Sequence, residues 1–191
     1  TAHLNFDNTI NNQNRYYVID DFKAGSIGYN NQNYFDLFLK YDIFNDEVVL
    51  RPYDETNTTK LNLIKDNVSY FKIANEKFVN LKNIPTPSFK GGYYEEVVLN
   101  NSTTLYLKYY KEKQNTLKER ISVIEYILKY EFVLYKENKF YLINSKSEII
   151  KLYPEKKKNI NDFYFMNRSL RKDDPSMFMK NLMKYINNLN I

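Results

Sequence analysis

The sequence predicts an α+β protein, mainly β, in which an antiparallel meander, closing as a sandwich or open barrel, is followed by short C-terminal helices. Three observations predict it. The aromatic residues are dominated by 19 Tyr beside 13 Phe, and rings of this kind suit half-buried sheet positions. Short apolar alternations separated by Asn- and Asp-rich turns fill the chain up to residue 144. After Ser145 the apolar spacing changes from two to the helical period.

Taken in order, residues 1–14 are Asn-rich, lack a sustained period and hold the sole histidine, His3; they predict an N-terminal arm. Alternating runs at 26–29, 34–41, 47–51, 60–64, 68–73 and 77–81 predict strands. Asn30-Asn31-Gln32-Asn33, Phe44-Asn45-Asp46, residues 54–58 and Asn75-Glu76 supply turns, because Asn and Asp tolerate left-handed backbone and bond their own main chain. The pair Pro85 and Pro87 predicts an extended crossover at a sheet edge or corner, since neither proline donates to a ladder.

Gly91-Gly92 opens a run at 93–99, which Asn100-Asn101-Ser102 turns into a run at 103–111. Residues 111–120 read as a polar connection. Residues 121–135 satisfy both the strand and the helix period, and 131–135 with 139–143 reads as a further hairpin. Beyond it, Ile149, Ile150 and Leu152 have helical spacing, with Ser145 or Ser147 as the cap. Pro154 breaks the run and starts a second helix. Asp174-Pro175 starts a last one, carrying the stripe Phe178, Leu182, Tyr185, Ile186 and Leu189. The predicted organisation is an arm at 1–14, a β-rich body at 15–144 and a helical segment at 145–191 packed on the body.

Composition narrows function by exclusion. With 43% hydrophobic residues the chain has enough apolar surface to offset chain entropy, which disordered sequences lack. Cysteine is absent, which removes disulfides, thiolate zinc sites and cysteine nucleophiles. No segment approaches the ~20 apolar residues of a membrane helix. Net charge is +5, divided as −3 over residues 1–100 and +8 over 101–191, so the tail is the basic part. A basic tail marks a nucleic-acid or anionic surface, or a solvated helical face.

A lone histidine cannot build a triad or an HExxH site. Glu95 and Glu96 are strand neighbours pointing to opposite faces, so they form no dyad. Asp42, Asn45, Asp46 and Glu47 lack the EF-hand spacing and glycine, and read as a turn. Gly91-Gly92 fits no nucleotide loop and reads as a bend or bulge. No catalytic residue, metal ligand or cofactor is predicted. Lys156-Lys157-Lys158 with Lys151, Arg168, Arg171 and Lys172, interleaved with Tyr153, Phe163 and Tyr164, is the cluster with the composition of a nucleic-acid site. Helical spacing turns Ile160, Phe163 and Tyr164 inward against it.

The stretch from Gly28-Tyr29 through residues 34–49, ending in Tyr41-Asp42-Ile43-Phe44-Asn45-Asp46-Glu47-Val48-Val49, resembles a segment of envelope proteins of the Bacteroidota. So do residues 151–160, Leu170-Arg171-Lys172-Asp173-Asp174-Pro175 and Gly92-Tyr93-Tyr94-Glu95, and the likeness spans about residues 26–188. The resemblance implies an exported protein with a β-rich body and a helical end, a signal peptide removed ahead of Thr1, and a periplasmic site of action. It further implies an outer-membrane protein, a translocon or transporter, as partner, with closure of the type IX secretion translocon as one such role.

The expected function is therefore non-catalytic binding to an outer-membrane protein complex, plugging or gating that translocon. The expected contact residues are Tyr93, Tyr94, Tyr106 and Tyr110 on sheet faces and Lys156, Lys157 and Lys158 on the tail, since Tyr gives large contact area and Lys steers association. The alternative is a nucleic-acid-binding module using the basic helices.

Overall fold

The computed structural model describes residues 14–52, 60–82, 89–118 and 121–189. The expected arm up to residue 13 with His3, the turn at 54–58 and the crossover at 84–87 lie outside them. Among the described residues strand accounts for 51% and helix for 27%, so the class is α+β and mainly β. The strands are β1 (Lys23–Tyr29), β2 (Gln32–Asp42), β3 (Glu47–Arg51), β4 (Leu61–Asn62), β5 (Val68–Ile73), β6 (Glu76–Leu81), β7 (Gly92–Asn100), β8 (Thr103–Lys118), β9 (Ile121–Lys136) and β10 (Lys139–Leu142). The helices are α1 (Lys146–Leu152), α2 (Lys157–Met166), α3 (Arg168–Asp173) and α4 (Pro175–Asn188). No helix of the described residues is long and apolar enough to cross a membrane.

The chain forms two compact units, each discontinuous in sequence: the described parts of 1–74 with 109–129, and 75–108 with the described parts of 130–191. In the first, the strands run in the order β5-β1-β2-β3-β4. The β1–β2 loop has two residues, Asn30 and Asn31, both left-handed at φ 50° and 63°, the geometry whose twist matches flanking strands and which Asn tolerates. After β4 a 3-10 turn at Lys65–Asn67 brings β5 back beside β1, so this part is not a simple up-and-down succession. The backbone NH of Asn30 donates to the Asn67 carbonyl at 2.9 Å and ties that return in place.

The register of β1 against β2 shifts between Gly25 and Ile27. Phe35 and Asp36 together oppose one residue there, and Asp36 is left-handed at φ 54°. Such a bulge re-aims a side chain, and Phe35 is turned out to solvent. The core of this unit gathers Ile27, Leu39, Tyr41, Val48, Val68, Phe71 and Ile73, with Tyr41 and Phe71 edge to face at 5.1 Å.

Residues 14–22 cover the end of β2. Tyr17 NH donates to the Tyr41 carbonyl at 2.8 Å and Ile43 NH to the Arg15 carbonyl at 3.1 Å. Beneath this cover Lys40 is buried, paired with Asp20 and lying 3.9 Å from the Tyr16 ring centre. The segment read as calcium-like is a turn. Asp42 accepts from the backbone NH groups of Phe44 and Asn45 at 3.1 and 3.0 Å and from the Arg15 guanidinium at 2.9 Å. Asp46 accepts from the Tyr41 hydroxyl at 2.6 Å.

In the second unit the order is β10-β9-β8-β7-β6, and the four helices follow β10. The β9–β10 loop repeats the two-residue solution, with Glu137 and Asn138 at φ 52° and 61°. The Ser145 hydroxyl accepts from Glu148 NH while the Glu148 carboxylate accepts from Ser145 NH at 2.7 Å, a reciprocal cap that fixes the start of α1. Asp174 caps α4 by accepting from Met177 NH at 2.9 Å, with Pro175 in the first turn. Phe178, Met179, Leu182, Met183 and Ile186 are its buried stripe. Glu95 of β7 and Lys180 of α4 meet at 2.6 Å, while the neighbouring Glu96 pairs with Lys77 of β6 at 2.6 Å, so the adjacent carboxylates serve opposite faces.

One expectation needs correction. Residues 111–118, read as a connection, are the second half of β8; residues 121–135, whose spacing fitted both strand and helix, are strand. β8 and β9 are equal in length and adjacent in the sheet, so each satisfies the other's main chain, and polar side chains such as Glu112, Lys113 and Gln114 simply stand in water. The six-residue helix α3 was also not foreseen.

Candidate binding surface

The expected contact residues divide when their surroundings are examined. Tyr93 and Tyr94 are fully buried. The Tyr94 hydroxyl lies 2.6 Å from the Lys90 carbonyl and 2.8 Å from the Glu131 carboxylate, and the Lys108 ammonium lies 5.0 Å from its ring centre. These two tyrosines are therefore packing residues and are withdrawn as contacts. Tyr106 is half-buried and packs on Phe140 at 6.2 Å; burial raises its phenol above the ordinary value, with the charge of Glu96 adding to the effect. Tyr110 is likewise half-buried.

Lys156 is buried, and its ammonium donates to the Ile186 carbonyl at 2.8 Å, in the last turn of α4. A cation suits that end of a helix dipole. Desolvation lowers its pKa, partly offset by Glu155. Lys156 is thus an internal brace between the α1–α2 junction and α4, and is corrected from surface contact to structural residue. Lys157 and Lys158, one and two places on, are exposed.

The helical periodicity that buries Lys156 also lays out the outer face of α2. Ile160 and Tyr164 are buried, and Phe163 packs on Phe178 at 5.6 Å and Tyr185 at 5.3 Å. The opposite positions, Lys158, Asp162, Phe165 and Met166, follow helical spacing and are exposed, with Phe165 at 67% and Met166 at 71%. A Phe and a Met thus stand side by side largely in water.

Next to this face an open cleft of about 720 Å³ is lined by Lys146, Asn161, Asp162, Tyr164, Phe165, Arg168 and Arg171. Each cation lies near a ring: Arg168 is 4.5 Å from the centre of Phe165, Arg171 is 5.4 Å from Tyr164, and Lys146 is 5.5 Å from Tyr164. A cation so placed is attracted by the ring, and a guanidinium keeps N–H donors for an anion beside it. Among the described residues Lys146, Lys157, Lys158, Arg168 and Arg171 make no ion pair with a carboxylate. Burial raises the Tyr164 phenol, against the opposing charge of Arg171, so it remains a protonated donor at neutral pH.

Arg168, Arg171 and Tyr164 belong to the basic, aromatic cluster legible in the sequence. Lys146 and Phe165 do not. Phe165 had a signal, because a residue next to an inward Tyr164 is rotated about 100° away on a helix. Lys146 had none, since only the fold of α1 against α2 brings it to the cleft. Among the described residues no group of three His, Asp or Glu side chains is placed to hold a metal ion.

Fold and cleft together define a mainly β protein with a basic, ring-backed helical face. No family model, curated protein or solved structure matches the chain.

Proposed function

We propose that the protein is a non-catalytic periplasmic binding protein that docks on an outer-membrane protein complex through the outer face of α2. The observation that carries this reading is the pair Phe165 and Met166, exposed at 67% and 71% and flanked by Lys157, Lys158 and Arg168. Aromatic residues, Met and Arg are the side chains enriched at the centres of protein contacts, and a surrounding positive field speeds encounter with an acidic partner. The likeness to envelope proteins of the Bacteroidota supports the compartment, and with it the narrower reading of a plug or gate of the type IX secretion translocon.

The test is a photo-cross-linking residue placed at position 165 of the full chain in its native cells. The reading expects a single large outer-membrane protein as the adduct, absent when the probe stands at the exposed Lys113 on β8. A second reading, a nucleic-acid-binding module, is favoured by Arg168 and Arg171 lying over rings, an arrangement on which bases stack. It predicts nucleic acid in the adduct and binding that weakens steeply between low and physiological salt.

A further inference from the structure

We propose that the cleft between α1, α2 and α3 binds the phosphomonoester head of a small anionic amphiphile, with Lys146, Arg168 and Arg171 holding the phosphoryl oxygens. This site does not depend on a protein partner. Three cations and the single carboxylate of Asp162 line the cleft, a net charge of +2 that matches a phosphomonoester dianion. No protein carboxylate pairs with any of the three cations among the described residues, and each lies within 5.5 Å of the centre of an aromatic ring. Planar guanidinium groups recognise phosphoryl oxygens in pairs of parallel hydrogen bonds.

The Tyr164 hydroxyl, which has no hydrogen-bond partner among the described residues, adds a neutral donor.

The second part of the ligand follows from a neighbouring hollow. A cavity of about 250 Å³ shares Lys146, Tyr164 and Arg171 with the cleft and is otherwise lined chiefly by Phe132, Pro175, Phe178 and Met179. At about 30 Å³ for each water in the liquid, it has room for a short alkyl or aryl group, which the wall of Phe132, Pro175, Phe178 and Met179 opposite Asn144 would cover. A charged cleft and a hollow with an apolar far wall, meeting at Lys146, Tyr164 and Arg171, suit a phosphate ester whose organic part lies against Phe178 and Met179. Such a head occurs both on a lipid and on a soluble ester.

The experiment is calorimetric titration of the full chain at low ionic strength with inorganic phosphate and with hexyl phosphate. We expect saturable binding of both, with hexyl phosphate at least about tenfold tighter because its alkyl group leaves water. R171Q and K146Q each weaken both ligands about tenfold, the scale of one lost charge-assisted hydrogen bond. K139Q, exposed on β10 and outside the cleft, changes nothing. Y164F, which keeps the ring, weakens both without lowering the melting temperature. R168Q serves in place of either cation variant should one fail to fold.

Absence of saturable binding, equal binding by R171Q and wild type, or equal affinity for phosphate and hexyl phosphate overturns the proposal. Sedimentation with phosphatidylcholine vesicles containing phosphatidic acid separates the sources. Vesicle binding lost in R171Q assigns the head to a lipid, and retention of hexyl phosphate without vesicle binding assigns it to a soluble ester. Vesicle binding that persists in R171Q and K146Q overturns the lipid form.

Discussion

Two adjacent glycines show how much one backbone angle decides. Gly92 opens β7 at φ 132° and is buried, a conformation that L side chains rarely adopt. Gly91 has no such angle, and a methyl group there would meet the carbonyls of Leu81 and Lys82 at an ordinary 3.6 Å. Gly92→Ala should therefore lower stability by about 1–3 kcal/mol, within the range for strained backbone, while Gly91→Ala should change it by less than about 0.5 kcal/mol; urea denaturation of the two variants measures the contrast. Tyr153 illustrates a charge effect at the same scale. Burial, with help from Glu155 and Glu137, pushes its phenol up to about 12 from an ordinary 10. Between those pH values the unfolded chain has released a proton that the folded one still holds, so unfolding is increasingly favoured. This contribution to stability is complete below pH 10 and is lost as pH rises to about 12, amounting to roughly 2–3 kcal/mol. Denaturation midpoints between pH 9 and 12 should fall more steeply for the wild type than for Tyr153→Phe, and equal slopes would count against this account.

At the scale of elements, the contact between α4 and β7 concentrates charge inside the second unit. Glu95 is buried and Lys180 nearly so, and removing one member of such a pair leaves the other charge desolvated. Lys180→Ala should destabilise by roughly 3 kcal/mol, whereas the double change Glu95→Gln with Lys180→Met should cost clearly less; a thermodynamic cycle built from chemical denaturation reads this directly. The cap of α1 is a smaller term. Ser145→Ala removes the acceptor for Glu148 NH and should cost about 1 kcal/mol. That cap, Pro154, the Asp174-Pro175 start and the Asn30-Asn31 turn were all legible in the sequence, because each depends on residues within a few positions of one another. The strand 112–118 was not, because its polar side chains carry no period and only the paired length of β9 makes it a strand. The left-handed Glu137 and the Phe35–Asp36 bulge were hidden for a similar reason: they satisfy register, not local preference.

For the molecule as a whole, the candidate surface was legible as a composition and illegible as a geometry. The sequence brought together Arg168, Arg171 and Tyr164, but could not separate the buried Lys156 from the exposed Lys157 and Lys158, which only the docking of α4 distinguishes. Nor could alternation alone separate the buried Tyr93 and Tyr94 from a half-exposed sheet face, because both faces of β7 are covered at 92–95. What remains at the surface is one face of α2, apolar at Phe165 and Met166 and bordered by Lys158, Asp162 and Arg168. The central claim is that this face, and not the tyrosines of the sheet, holds the partner. The most direct measurement is recovery of outer-membrane protein on the tagged full chain from native cells at physiological salt, comparing wild type with the double variant Phe165→Asp, Met166→Asp. Both positions are exposed, so the variant should melt as the wild type does. The account predicts that a stoichiometric outer-membrane partner of the wild type is reduced at least about tenfold by two charges at the centre of the contact. Undiminished recovery by the variant, or recovery of nucleic acid that high salt removes, would contradict it.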